Sequence, residues 1–158
     1  LSDLKGSVFA FQDIYSTSAY LVPRYHLKEN NIDPERDFGR VVHIPKQDSV
    51  IFAVLNRTID AGAVASFIFN EQNESIKSRI RVFEESLPFP LGPFVANASI
   101  GEETIETTRK FLFNLEKTEV GRAALSLAEL DSFTEIDISD YDYLVKIIND
   151  KKSWPRPD

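Results

Sequence analysis

Short apolar blocks alternate along the chain with stretches of helical period. Residues 7–11, apolar after the turn residue Gly6, read as a first strand. Tyr20, Leu21, Tyr25 and Leu27 then recur at helical spacing and predict a helix over 19–29, stopped by Asn30 and Asn31. Pro23 lies inside that helix and has no N–H for the carbonyl of Ala19, so the first turn should be loose or bent. Asp33 followed by Pro34 is a short-helix start. Residues 41–44 read as a second strand. Residues 48–56, apolar at Val50, Ile51, Phe52, Val54 and Leu55, predict a helix with a narrow polar face that should be largely buried. The small apolar run 59–64 reads as a third strand and 66–78 as a helix. Residues 80–83, polar at alternate positions, read as an edge strand. Strands alternating with helices at this spacing imply βαβ units: an α/β fold on a mostly parallel sheet flanked by helices.

Pro88, Pro90, Gly92 and Pro93 then break regular structure, so residues 89–93 read as a hinge or crossover. Beyond them 94–98 is strand-like. Ser99 and Glu102 have the spacing of a capping box, opening a helix to about residue 116. Further helices are expected over 118–130 and 139–149, and residues 154–158 show no pattern.

Composition narrows the function classes. The chain has 158 residues, 18 Lys and Arg against 25 Asp and Glu, a net charge of −7, and no Cys. The acidic balance argues against nucleic-acid binding, which shows a basic patch. No apolar run approaches the roughly 20 residues of a membrane span. Without Cys there is no disulfide, no thiolate-bound zinc and no thiol nucleophile, and the compartment is left open. His26 and His43 have no second ligand at helical spacing, which speaks against a metal site. The chain carries no Walker loop, no dinucleotide fingerprint and no nucleophile elbow, and nothing in it calls for a cofactor. The first residue is Leu1, as in a processed or excised piece.

One cluster has chemistry to offer. Ser16, Thr17 and Ser18 stand between the end of the first strand and the start of the next helix. Ligands collect at the carboxyl ends of parallel strands, where a helix start offers unpaired N–H groups and partial positive charge. Three rotatable hydroxyls there suit a tetrahedral oxyanion without any cation. The competing reading makes one of them a helix cap and the others loop hydroxyls. Gln47 and Asp48 repeat the geometry after the second strand, with Gln47 able to donate and Asp48 able to cap or to orient a neighbour.

These residues, in this order, resemble the phosphate, phosphite and phosphonate-binding proteins of ABC importers, the PhnD-like family. The similar runs are Asp3-Leu4-Lys5-Gly6, Val8-Phe9-Ala10-Phe11 and Ser16-Thr17-Ser18-Ala19-Tyr20-Leu21-Val22-Pro23. They continue with Asn31-Ile32-Asp33-Pro34, Asp60-Ala61-Gly62-Ala63-Val64 and the late Asp140-Tyr141-Asp142. The resemblance implies a type II periplasmic-binding fold, a location outside the cytoplasm, no catalysis, and an ABC permease as partner. It also implies that the hydroxyls of Ser16, Thr17 and Ser18, with Ala19 beside them, hold phosphorus-bound oxygens, and that Gln47 and Asp48 line the site.

The departures are informative. Relatives commonly carry His where Gln47 stands and Gly where Ala19 stands. Members that take aminoalkylphosphonates hold the amino group with carboxylates, at positions that here are Phe67 and Gly92. That favours phosphate, phosphite or a short alkylphosphonate. By the same resemblance residues 1–88 form one ligand-binding lobe. Residues 94–158 are then a return strand and helices that would pack on the other lobe, exposing Phe111, Leu112, Phe113 and Leu115 or driving self-association. A sensing domain of a membrane receptor, such as a histidine kinase, built on the same fold is the alternative.

Overall fold

The computed structural model describes residues 1–151. Its frame is a parallel three-stranded sheet of β1 (Val8–Phe11), β2 (Arg40–His43) and β3 (Ala61–Gly62), in the order β2-β1-β3. A π-helical turn (Thr17–Leu21), α1 (Val22–Glu29) and α2 (Pro34–Asp37) connect β1 to β2; α3 (Gln47–Leu55) connects β2 to β3. The first connection steps outward from β1 and the second returns across it. Right-handed crossovers then put α1 and α3 on opposite faces.

The alternation of β1 shows both faces. Phe9 and Phe11 point into one layer with Tyr20, Leu27, Ile32 and Phe38, and Ala10 points into the other with Val50 and Ile59. The large aromatics stack in the first layer, with Phe9 and Phe38 rings 4.9 Å apart. The second layer is thin, and Gly62 explains how α3 sits so close. A β-carbon on Gly62 would run into the Val50 side chain. Asp60 completes the edge: its carboxylate accepts the Val8 N–H at 2.7 Å.

Among the described residues, Arg24 is the one buried charged side chain. It lies beneath Phe11 and Tyr20, its guanidinium carbon 5.7 and 5.1 Å from their ring centres, and forks onto Glu35 at 2.6 and 2.7 Å. Burial pushes the Glu35 carboxyl up, but the Arg24 hydrogen bond and charge outweigh it and hold it below its usual range.

Several expected elements take another form. Helix 66–78 is broken into α4 (Ser66–Asn70) and α5 (Glu74–Lys77), because the Asn73 side chain caps a new start by accepting the Ile76 N–H. Residues 80–83 and 94–98 form no strand, since no described segment lies alongside to complete a ladder. Asn97 caps a 3₁₀ turn (Ala98–Ile100) where a Ser99 capping box was expected. Gly101, at φ 92°, then turns the chain into α6 (Glu102–Phe113). Among the described residues the capping box is formed by Asp137 and Asp140 instead, ahead of α8 (Asp142–Lys151). Helix α3 is less buried than its composition suggests: Val50 and Ile51 are covered and Phe52 is exposed, because only one side meets the sheet.

Two compact units result. One comprises Leu1–Pro88 and the helix from Tyr143, which lies on α1 through the buried Ile147, a Tyr25–Tyr143 edge contact and a Lys28–Asp150 pair at 2.8 Å. Within the expected return segment, that helix therefore joins the sheet-bearing unit. The other unit, Phe89–Asp142, holds α6 and α7 (Glu119–Leu127), with Thr118 capping α7 through the Gly121 N–H. Of its late apolar residues Phe111 is exposed, while Leu112, Phe113 and Leu115 are half-buried. The expectation for 154–158 falls outside the described residues.

Candidate oxyanion site

All three strands end on the same side of the sheet. Gln12 to Ser18 leave β1 there, Ile44 to Gln47 leave β2, and Ala63 to Ser66 leave β3. With β1 central and its two connections on opposite faces, the crevice at its carboxyl end is the switch point where open α/β sheets take ligands.

Pro23 shapes the turn at that point. In an α-helix residue 23 would donate to the carbonyl of Ala19; Pro23 has no N–H, and the Gln12 N–H takes that carbonyl at 3.1 Å instead. The helix opens wide in consequence. Leu21 N–H reaches back five residues to the Ser16 carbonyl at 2.9 Å, and Val22 N–H to that of Thr17. The expected loosening is thus a π-turn, and it begins at the hydroxyl cluster.

The three hydroxyls divide between the two readings. Ser16 is a cap: its Oγ accepts the Ala19 N–H at 3.1 Å. Among the described residues, the hydroxyls of Thr17 and Ser18 have no hydrogen-bond partner, and both side chains are half-buried. The N–H groups of Thr17 and Ser18 precede the first intrahelical bond, leaving them for an outside acceptor. Ala19 is fully buried, so its methyl group meets protein.

Gln47 opens α3 and is engaged at both ends of its amide. Nε2 donates to Gln12 Oε1 at 2.9 Å, and Oε1 accepts the Ala65 N–H at 2.5 Å. One amide hydrogen remains to donate. Asp48, exposed in the first turn of α3, accepts from Gln72 Nε2 at 2.9 Å; it orients a neighbour and caps nothing. Sequence reasoning missed Gln12 and His43. Gln12 is the first residue past β1, a position that alone marks it for this crevice. His43 ends β2, with Nδ1 2.6 Å from the Gln12 carbonyl and its ring 5.7 Å from that of Tyr20. Since a carbonyl only accepts, Nδ1 carries the proton. Among the described residues no His, Asp or Glu cluster suits a metal ion.

A parallel sheet of this order, with hydrogen-bond donors gathered at the carboxyl ends of its strands, has the switch-point arrangement at which open α/β folds take ligands. The chain belongs to the ABC transporter phosphonate periplasmic substrate-binding protein family, whose model matches residues 1–141. Three solved structures share the fold. A binding-protein component of an ABC phosphonate transporter from Pseudomonas aeruginosa is 22% identical at TM-score 0.76, covering 96% of this chain and 51% of its own. PhnD1 from Prochlorococcus marinus, in complex with methylphosphonate, is 20% identical at TM-score 0.76, covering 96% and 59%. A Xanthomonas citri protein bound to ATP is 20% identical at TM-score 0.68, covering 93% and 58%. The chain therefore spans between 51% and 59% of these neighbours' lengths.

Proposed function

We propose that the chain captures a small phosphorus oxyanion, namely phosphate, phosphite or a short alkylphosphonate, outside the cytoplasm and passes it to an ABC permease without chemical change. The observation that carries this reading is the pair of hydroxyls without a hydrogen-bond partner among the described residues, Thr17 and Ser18, at the opening N–H groups of the π-turn beside the central strand. Four donors at one point match a tetrahedral anion whose oxygens accept in several directions. Ser16 sets the turn, the remaining Gln47 amide hydrogen adds a donor, and Asp48 orients Gln72. The methylphosphonate held by PhnD1 supports the ligand class. Phe67, with no charge to offer an ammonium group, supports ligands without one.

The test is a calorimetric titration of the full chain with phosphate, phosphite, methylphosphonate, aminoethylphosphonate and sulfate. Binding confined to the first three is expected. Tight aminoethylphosphonate binding would overturn the reading of Phe67 and Gly92, and absence of any phosphorus ligand would overturn the function itself. The same reading has the exposed Leu91, Phe94, Val95 and Leu127 of the Phe89–Asp142 unit covered by another polypeptide surface. Light scattering that finds only monomer, with no partner needed for solubility, would remove that part.

A further inference from the structure

The carboxyl ends of the three strands are tied together by two residues, Gln12 and Gln47. Gln12 uses four of its polar groups there. Its N–H donates to the Ala19 carbonyl at 3.1 Å, its carbonyl faces His43 Nδ1 at 2.6 Å, its Nε2 donates to the Pro45 carbonyl at 2.8 Å, and its Oε1 accepts from Gln47 Nε2 at 2.9 Å. Gln47 Oε1 extends the run to the Ala65 N–H. The two side-chain amides thus form a relay with a direction, from the Ala65 N–H through Gln47 and then Gln12 to the Pro45 carbonyl. Its ends are backbone groups that cannot swap roles: an N–H only donates and a carbonyl only accepts. Neither amide can flip without setting two acceptors or two donors face to face. Bonds in such a chain also polarise one another in the same sense.

We propose that Gln12 is the positioning residue of the oxyanion site: its backbone holds the π-turn through Ala19, and its amide, through Gln47, holds the openings of α3 and α4 against it. The inference rests on the oxyanion reading above. Gln12 need not touch the anion; it fixes where the Thr17 and Ser18 donors stand relative to the spare Gln47 hydrogen.

Two substitutions test it, with methylphosphonate and phosphate titrated into the full chain between about pH 7.5 and pH 4. Gln12→Met keeps the length and removes both donor and acceptor, and should weaken binding roughly tenfold or more at every pH. Gln12→Glu, when ionised, sets a carboxylate oxygen against the Pro45 carbonyl; when protonated, it donates there as the amide does. Its affinity should fall at least as far at neutral pH. It should then recover toward that of the unmodified chain as pH drops into the carboxyl range near 4. His43 faces the Gln12 carbonyl and Asp48 follows Gln47 in both proteins, and the ligand is the same, so the ratio of affinities is the quantity read. Faster hydrogen exchange at the Ala65 amide in Gln12→Met is the ligand-free readout. Unchanged affinity in Gln12→Met, or a Gln12→Glu loss that stays constant with pH, would overturn the relay. If Gln12→Met does not fold, the Gln12→Glu recovery decides alone. Failure of the unmodified chain to bind either anion removes the oxyanion reading and this inference with it, and is distinguishable from the other two results.

Discussion

Removing the hydroxyls one at a time separates a cap from a ligand. Ser16 Oγ already holds the Ala19 N–H, so Ser16→Ala removes a helix cap and should cost about 1 kcal/mol of stability. For a chain of this size that is roughly 2–4 °C in Tm. Thr17→Val and Ser18→Ala remove hydroxyls that bond to nothing in the described chain, so their melting temperatures should hardly move. Binding should respond in the opposite order. A hydrogen bond to a charged group contributes about 1.5–3 kcal/mol, which raises Kd roughly 10- to 150-fold per lost hydroxyl. Calorimetric titration with phosphate and methylphosphonate, beside thermal melts of the same samples, gives both numbers. If Thr17→Val and Ser18→Ala melt several degrees lower and bind as the unmodified chain does, the hydroxyls are structural and the oxyanion assignment falls.

Other consequences of the geometry can be measured directly. Glu35→Gln should destabilise the chain by about 1 kcal/mol at neutral pH, a figure already reduced because half of the carboxylate is in water. Since the Glu35 carboxyl is depressed in the folded state, its contribution is present above the unfolded carboxylate range and lost as pH falls through the lowered value. The difference between the two proteins in urea melts should therefore shrink with acid, and a constant difference would contradict the pairing. Asp37, held at about 2 by Arg36 and the Asp33 N–H, titrates the same way, so acid unfolding should continue to sharpen well below pH 4. Gly62→Ala should cost about 1–3 kcal/mol by forcing a methyl group into Val50, readable as a lower urea midpoint. Pro23→Ala returns an N–H that can compete for the Ala19 carbonyl; weaker anion binding without loss of melting temperature is expected, and unchanged binding would detach the π-turn from the site.

What was legible in the sequence follows from how local each signal is. The apolar run 7–11 behind Gly6 and the Pro23 interruption depend on neighbours a few positions away, and they located the first strand and the loosened turn that follows it. Residues 80–83 and 94–98 have strand-like composition, but a strand exists only beside another, and no residue type records whether that neighbour is present. The site was legible as a position and less so as a set of roles. Ser16, Thr17 and Ser18 look alike in sequence, and only geometry shows that one is spent on Ala19. The place of Gln12 just past β1 was legible, but glutamine carries no motif, so its role was not; that comes from contacts with His43, Pro45 and Gln47, more than thirty residues away.

The π-turn at Thr17–Leu21 has a consequence for how this chain tolerates changes in length. A turn that closes over five residues holds one more than the α-helix behind it requires. Deleting one residue there would let the segment close as an ordinary helix, with Val22–Glu29 still seated on the sheet by Tyr25 and Leu27. The hydroxyls upstream would be drawn back by one position, about 100° around the helix axis. A single-codon deletion at this point thus separates survival of the fold from survival of the anion site. A deletion within β1 would not offer that separation, since it would turn the remaining core side chains of that strand to the wrong face.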